Sequence, residues 1–179
     1  MRTLILTAVL LVGVALHLSA TVIVPADLSE LIHDAQWIAR GTVVRVDGQW
    51  TDDRRTIETV VTLETERYLK GDAGETLQFR VPGGVLGRFR NIVVGAPQFA
   101  VGQRVVVFLG ASGPRVPHVL GLHQGVYRLG ASPEGQALVL PPPSMPGVSG
   151  PVMRGAADRR PAPLGEFERR VTEAVEANR

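Results

Sequence analysis

At 179 residues with no cysteine, the chain is long enough for one domain with a substantial core, and it has no disulfide to take the place of one. Its 19 basic residues face 17 acids and are scattered along the sequence, so the clustered basic stripe that a phosphate backbone requires is absent and no nucleic-acid partner is expected.

The first twenty residues read as an address. Arg2 supplies a positive start, 4–16 is an apolar run whose one polar residue is Thr7, and Leu18-Ser19-Ala20 ends in a small residue, the pattern of a secretory signal peptide cleaved near Ala20. The mature chain is then expected to begin at Thr21, in the periplasm or outside the cell. Thr21 stands where a lipidated protein would carry cysteine, and the apolar run is shorter than the ~20 residues a helix needs to cross a bilayer. No stable membrane anchor is expected. Roughly 160 residues remain for folding, a single unit held by burial and hydrogen bonding.

Asp27 with Glu30 three positions later has the spacing of a reciprocal helix cap, and Leu28, Leu31, Ile32 and Ala35 then recur at helical intervals. From Trp37 the period changes to alternation. A first strand over 37–47 places Ile38, Val44 and Val46 on one face, with a bulge at Gly41, and 48–55 is a polar hairpin tip. In the second strand Ile57, Thr59, Val61, Leu63 and Thr65 alternate with Glu58, Glu64 and Glu66, which predicts one buried and one solvated face. After the turn at 70–74, Leu77, Phe79 and Val81 point inward in a third strand that stops at Pro82-Gly83-Gly84. A fourth strand is expected over 88–94, closed by Gly95-Ala96-Pro97. The run 105–109 is apolar at every position and short, as in a strand buried on both faces.

Weaker strands at 119–122, 125–129 and 137–140 complete a regular series of short strands and turns, which predicts a small barrel or sandwich. Segment 141–163 holds seven of the 13 prolines and reads as a linker or strap. Helical character returns in 164–179, where Leu164, Phe167, Val171, Ala174 and Val175 share one side. The expected organisation is a signal peptide over 1–20, a β domain with its N-terminal helix over 21–140, the strap, and a C-terminal helix docked on a β domain that folds without it.

A helix, five or more antiparallel strands and a closing helix, together with Ala35-Gln36-Trp37-Ile38-Ala39-Arg40-Gly41-Thr42-Val43-Val44 and Tyr68-Leu69-Lys70-Gly71, resemble netrin-like domains, which include the tissue inhibitors of metalloproteinases. The turns Val81-Pro82-Gly83-Gly84 and Gly95-Ala96-Pro97 are similar to those of a group of uncharacterised secreted bacterial proteins. The resemblance covers 25–129. It implies an all-β fold with flanking helices, a small antiparallel barrel of OB type that binds through loops at one end. The metalloproteinase inhibitors grip the catalytic zinc with an N-terminal cysteine and link their barrels by disulfides; this chain has neither device, so protease inhibition does not carry over.

Reactive chemistry finds little purchase. His118 and His123 are five apart in a β region, where a regular strand points them to opposite faces, although a bulge at Gly121 would reunite them; His33 sits beside Asp34 on the first helix as a solvated residue. Ser112 and Ser149 lie in Gly-x-Ser-Gly-Pro turns that miss the final glycine of a nucleophile elbow. Asp52 and Asp53 are expected to be hydrated, of ordinary acidity, and to shape the hairpin tip. Gly83-Gly84 followed by Gly87 lacks the Gly-Lys-Ser/Thr ending of a phosphate loop. No catalytic, metal or cofactor site is expected.

Two surface features remain. Trp50 stands at the hairpin tip with Arg54 and Arg55, an aromatic anchor beside bidentate donors, and serves either as a recognition loop or as a plug for one barrel end. Leu86, Arg88, Phe89 and Arg90 form a second aromatic and basic group, either a recognition surface or a barrel cap. The reading is an exported, monomeric, non-enzymatic binding module for a protein, a protease among the options, or an extracellular polymer. The alternatives are a structural or envelope-associated component without a discrete site and, third, a hydrolase.

Overall fold

The computed structural model describes residues 26–111, 116–142 and 160–178. The leader, the expected start at Thr21, Ser112, Ser149 and most of the proline-rich strap lie outside the described residues. The chain runs through helix α1 (Leu28–Asp34), then β1 (Trp37–Trp50), β2 (Ile57–Lys70), β3 (Thr76–Pro82), β4 (Gly84–Leu86), β5 (Phe89–Asn91), β6 (Arg104–Gly110) and β7 (His118–Val119). A 3-10 turn (Leu122–Gly125), β8 (Val126–Ala131), β9 (Ala137–Leu140), β10 (Ala162–Pro163) and helix α2 (Leu164–Ala177) follow. The expected all-β fold with flanking helices is present in that coarse form. Among the described residues no helix is long and apolar enough to cross a membrane.

The cap at α1 forms as its spacing predicts, the Asp27 N–H donating to the Glu30 carboxylate at 3.1 Å. Leu28, Leu31, Ile32 and Ala35 are all buried. Eight strands make one large mixed sheet in the order β1-β2-β3-β7-β6-β8-β9-β10, and β1 pairs additionally with β6. The pairings β1–β2, β2–β3, β3–β7, β7–β6 and β6–β1 therefore return to the strand they start from. The seam between β3 and β7 is one residue pair, Arg80 with His118, and it is parallel. This corrects the purely antiparallel expectation. Around five strands direction cannot alternate at every contact, so one contact must be parallel.

Strand β6 divides the core. Val105, Val107 and Leu109 face a cluster with Val43, Val61, Leu63, Phe79 and Val81, while Val106 and Phe108 face one with Ile32, Ile38, Tyr127, Phe167 and Val171. All five residues of the 105–109 run are fully buried, which explains why that run lacks alternation. Helix α2 supplies Phe167, Val171 and Val175 to the second cluster, so its apolar stripe completes the core over β8 and β9.

Three further expectations change. Val44 is exposed and Val43 buried, because Val43 and Arg45 oppose the consecutive residues Leu63 and Thr62, which leaves Val44 as an extra residue of β1 and reverses the strand's parity there. The predicted strand over 88–94 is instead the second half of a short hairpin: β4 and β5 form their own two-stranded sheet, bent at Gly87 with φ +57°. Glu58, expected on a solvated face, is buried against Arg80 at 3.1 Å and receives a hydrogen bond from Gln49 at 2.9 Å.

Candidate functional site

The site begins with the residue that has no side chain. Gly48 pairs with Thr59 across the β1–β2 ladder, and the carbonyl of Val85 lies so close over Gly48 that a Cβ there would stand 2.0 Å from it. The β4–β5 hairpin is thus laid across the far end of the long β1–β2 ribbon by backbone approach. Gly83 (φ +84°) and Gly84 (φ +147°) turn the chain into it, a conformation that side-chain-bearing residues resist. The turn is pinned from below: Thr59 Oγ1 donates to the Gly83 carbonyl at 2.7 Å, and the Ile57 carbonyl accepts both the Gly83 N–H (3.1 Å) and Asn91 Nδ2 (3.2 Å).

Between this hairpin and the segment 92–99 lies a groove of about 520 Å³, floored by Val46, Gly48, Thr59 and Val81 and bounded by Arg90 and Phe99. That volume is within the range of small-ligand and peptide clefts. Two aliphatic side chains of its lining are strongly exposed, Val85 at 54% and Ile92 at 75%.

The two surface features that the sequence left separate meet here. Trp50 pairs with Ile57 at the end of β1, and its ring lies 5.6 Å from that of Phe89 at the start of β5, tilted by 58°. Both rings remain nearly half exposed. Trp50 belongs to neither core cluster. The Arg88 guanidinium sits 5.0 Å from the centre of the Phe89 ring, a cation on an aromatic face, and Arg90 pairs with Val85 in the hairpin ladder. Leu86 is half-buried opposite Phe89.

Arg54 and Arg55 do not join this group in the way the sequence implied. They occupy the turn between β1 and β2, Arg54 in a left-handed conformation (φ +54°), Arg55 almost fully solvated and 3.8 Å from Asp53. Asp53 departs from the expected ordinary acidity: hydrogen bonds from Thr51 Oγ1 and then from the Arg55 N–H hold its carboxyl below the usual value. Asp52 faces Arg80 at 3.2 Å. The pair thus shapes the turn, as expected, through specific partners.

Elsewhere the charged side chains serve packing. Glu66 receives Arg104 at 3.0 and 2.7 Å, Arg40 at 3.1 Å and Thr42 Oγ1 at 3.2 Å, and the Arg104 hydrogen bonds lower its pKa against the opposing effect of burial. Arg40 also reaches Glu168, a buried carboxylate on α2 that Arg67 meets at 3.0 Å. His118 is exposed at the seam, and His123 Nδ1 lies 3.2 Å from the Gly95 carbonyl. Among the described residues no group of three histidine, cysteine or acidic side chains converges as a metal site would.

Sequence reasoning missed Asn91 and Ile92. The signal available was 92–94, three apolar residues between a polar hairpin and a Gly-Ala-Pro turn, which had been assigned to a strand. Comparison with protein-family models, curated proteins and solved structures finds no match to this chain, and the chemistry of the site has to be read from its own residues.

Proposed function

We propose that this chain is an exported, monomeric, non-enzymatic binding module, an OB-type barrel resembling netrin-like domains, that recognises a protein or an extracellular polymer through the groove at the end of β1 and β2. The observation that carries the reading is the exposed Trp50–Phe89 pair, in which Phe89 belongs to the hairpin whose Val85 and Arg90 line that groove. Rings left half in water cost free energy that a partner recovers, and aromatic side chains in such settings dominate binding energies. The returning circuit of five strands with a single parallel contact supports the OB-type assignment.

The test immobilises the exported protein and passes over it the periplasmic and secreted fractions of its own organism, with the Trp50→Ala/Phe89→Ala variant as control. A partner retained by the native protein and lost with the variant supports the reading; equal retention by both makes the chain a structural component without a discrete site. Intact-mass measurement of the exported form tests the export claim. A mass that begins at Thr21 agrees with it, and retention of residues 1–20 overturns it.

A further inference from the structure

We propose that the occupant of the groove is an extended peptide segment in which carboxylates alternate with apolar side chains. The inference rests on the binding-module reading and names the partner's chemistry.

Charge is the first argument. The acids nearest the groove along the chain are already engaged: Asp47 with Arg45, Asp52 and Glu58 with Arg80, and Asp53 with Arg55. The cations of the β4–β5 hairpin are not. Among the described residues neither Arg88 nor Arg90 forms an ion pair, Arg88 resting on Phe89 and Arg90 bordering the groove. A site whose acids are neutralised internally and whose arginines are left open is complementary to carboxylates, which a guanidinium holds with two parallel hydrogen bonds.

Backbone geometry is the second. Among the described residues strand β5 pairs only with β4, so its other edge carries no ladder to which an extended chain would be a competitor. In such an addition alternate side chains point to opposite faces, and one set would reach the apolar surface around the groove.

The third is the character of that surface. Val85 and Ile92, which line the groove, are aliphatic and strongly exposed. Aliphatic side chains of a peptide bury them; an acidic polysaccharide offers carboxylates to the arginines but no apolar groups to Val85 and Ile92, so the peptide is favoured.

A random heptapeptide library displayed on phage is panned against the exported protein, and oligogalacturonate is titrated in parallel as the acidic polysaccharide. The expected result is enrichment of sequences alternating Asp or Glu with Val, Ile, Leu or Phe. Synthetic versions should weaken at least tenfold with Arg88→Glu/Arg90→Glu, weaken more modestly with Arg90→Gln, and weaken as salt rises on the native protein. Both arginines are exposed, so circular dichroism should find the variants folded; should the double variant fail to fold, Arg90→Gln and the salt series decide alone. Enriched peptides without acids, or peptides indifferent to salt and to Arg90→Gln, overturn the proposal. Tight binding of oligogalacturonate that depends on Trp50, with no peptide enrichment, overturns the peptide class and leaves the binding module standing. Failure of both probes, joined with equal retention in the fraction experiment, removes both readings.

Discussion

The rings of Trp50 and Phe89 lie 5.6 Å apart although they belong to different sheets, one at the end of the long β1–β2 ribbon and the other in the short hairpin laid across it. The contact makes one aromatic surface of two features that each had a bland alternative. It also places that surface outside both core clusters, where a substitution is expected to disturb folding little.

Trp50→Ala is therefore expected to lower affinity for the partner by at least ~2 kcal/mol while leaving the thermal midpoint nearly unchanged, and Phe89→Ala to act in the same direction. The two losses should be non-additive, since each change removes the other ring's neighbour. Affinity and midpoint measured on the same variants check this; a fallen midpoint with unaltered affinity would show a structural cap.

Gly48→Ala addresses the placement of the hairpin. A methyl group there would stand 2.0 Å from the Val85 carbonyl, a backbone atom that moves only if β4 moves. The expected cost is about 1 to 3 kcal/mol of overpacking, with partial loss of binding as Phe89 is carried away from Trp50. Urea denaturation and near-ultraviolet circular dichroism of Trp50 would report the two effects separately.

Helix α2, expected to dock on a β domain that folds without it but is weakened by its loss, shares a core cluster with β6 and β8. Phe108 and Phe167 approach Tyr127 from two sides, at 5.5 and 5.0 Å between ring centres. Phe167→Ala should then cost ~3 to 5 kcal/mol, as Phe108→Ala should. Removing 141–179 strips three buried side chains worth about 1.5 to 3 kcal/mol each, comparable with a whole domain's margin. Calorimetry of the truncated chain is expected to show no cooperative transition.

The Glu66 carboxylate provides a pH signature. Its folded pKa lies below its unfolded value because Arg104, and then Arg40 and Thr42, favour the charged form. Its contribution to stability is present above the unfolded pKa of ~4.3 and is lost as pH falls through the lower folded value. Glu66→Gln should lower stability at pH 7 and flatten the fall below about pH 4.5 relative to the native chain. Denaturant midpoints between pH 2 and 7 on both proteins test the sign.

What the sequence determined by itself is the set of elements whose signals are local. The capped helix with Leu28, Leu31 and Ile32, the alternation of Leu77, Phe79 and Val81, the five-residue run of β6 and the stripe of α2 all needed only neighbours along the chain, and burial follows their periodicity. The turn at Gly83-Gly84 was legible too, because positive φ selects glycine. Tertiary structure alone decided the rest. Val44 and Val43 exchange faces because the extra residue of β1 falls at Val44 and not at Gly41, where glycine suggested a bulge, and only the register against Leu63 and Thr62 fixes that position. Glu58 and Glu168 are buried because their arginine partners come from other elements. The site belongs to the same class: the Trp50–Phe89 pair exists because Gly48 lets a hairpin from later in the chain settle on β1, and no periodicity along the chain records which backbone crosses which.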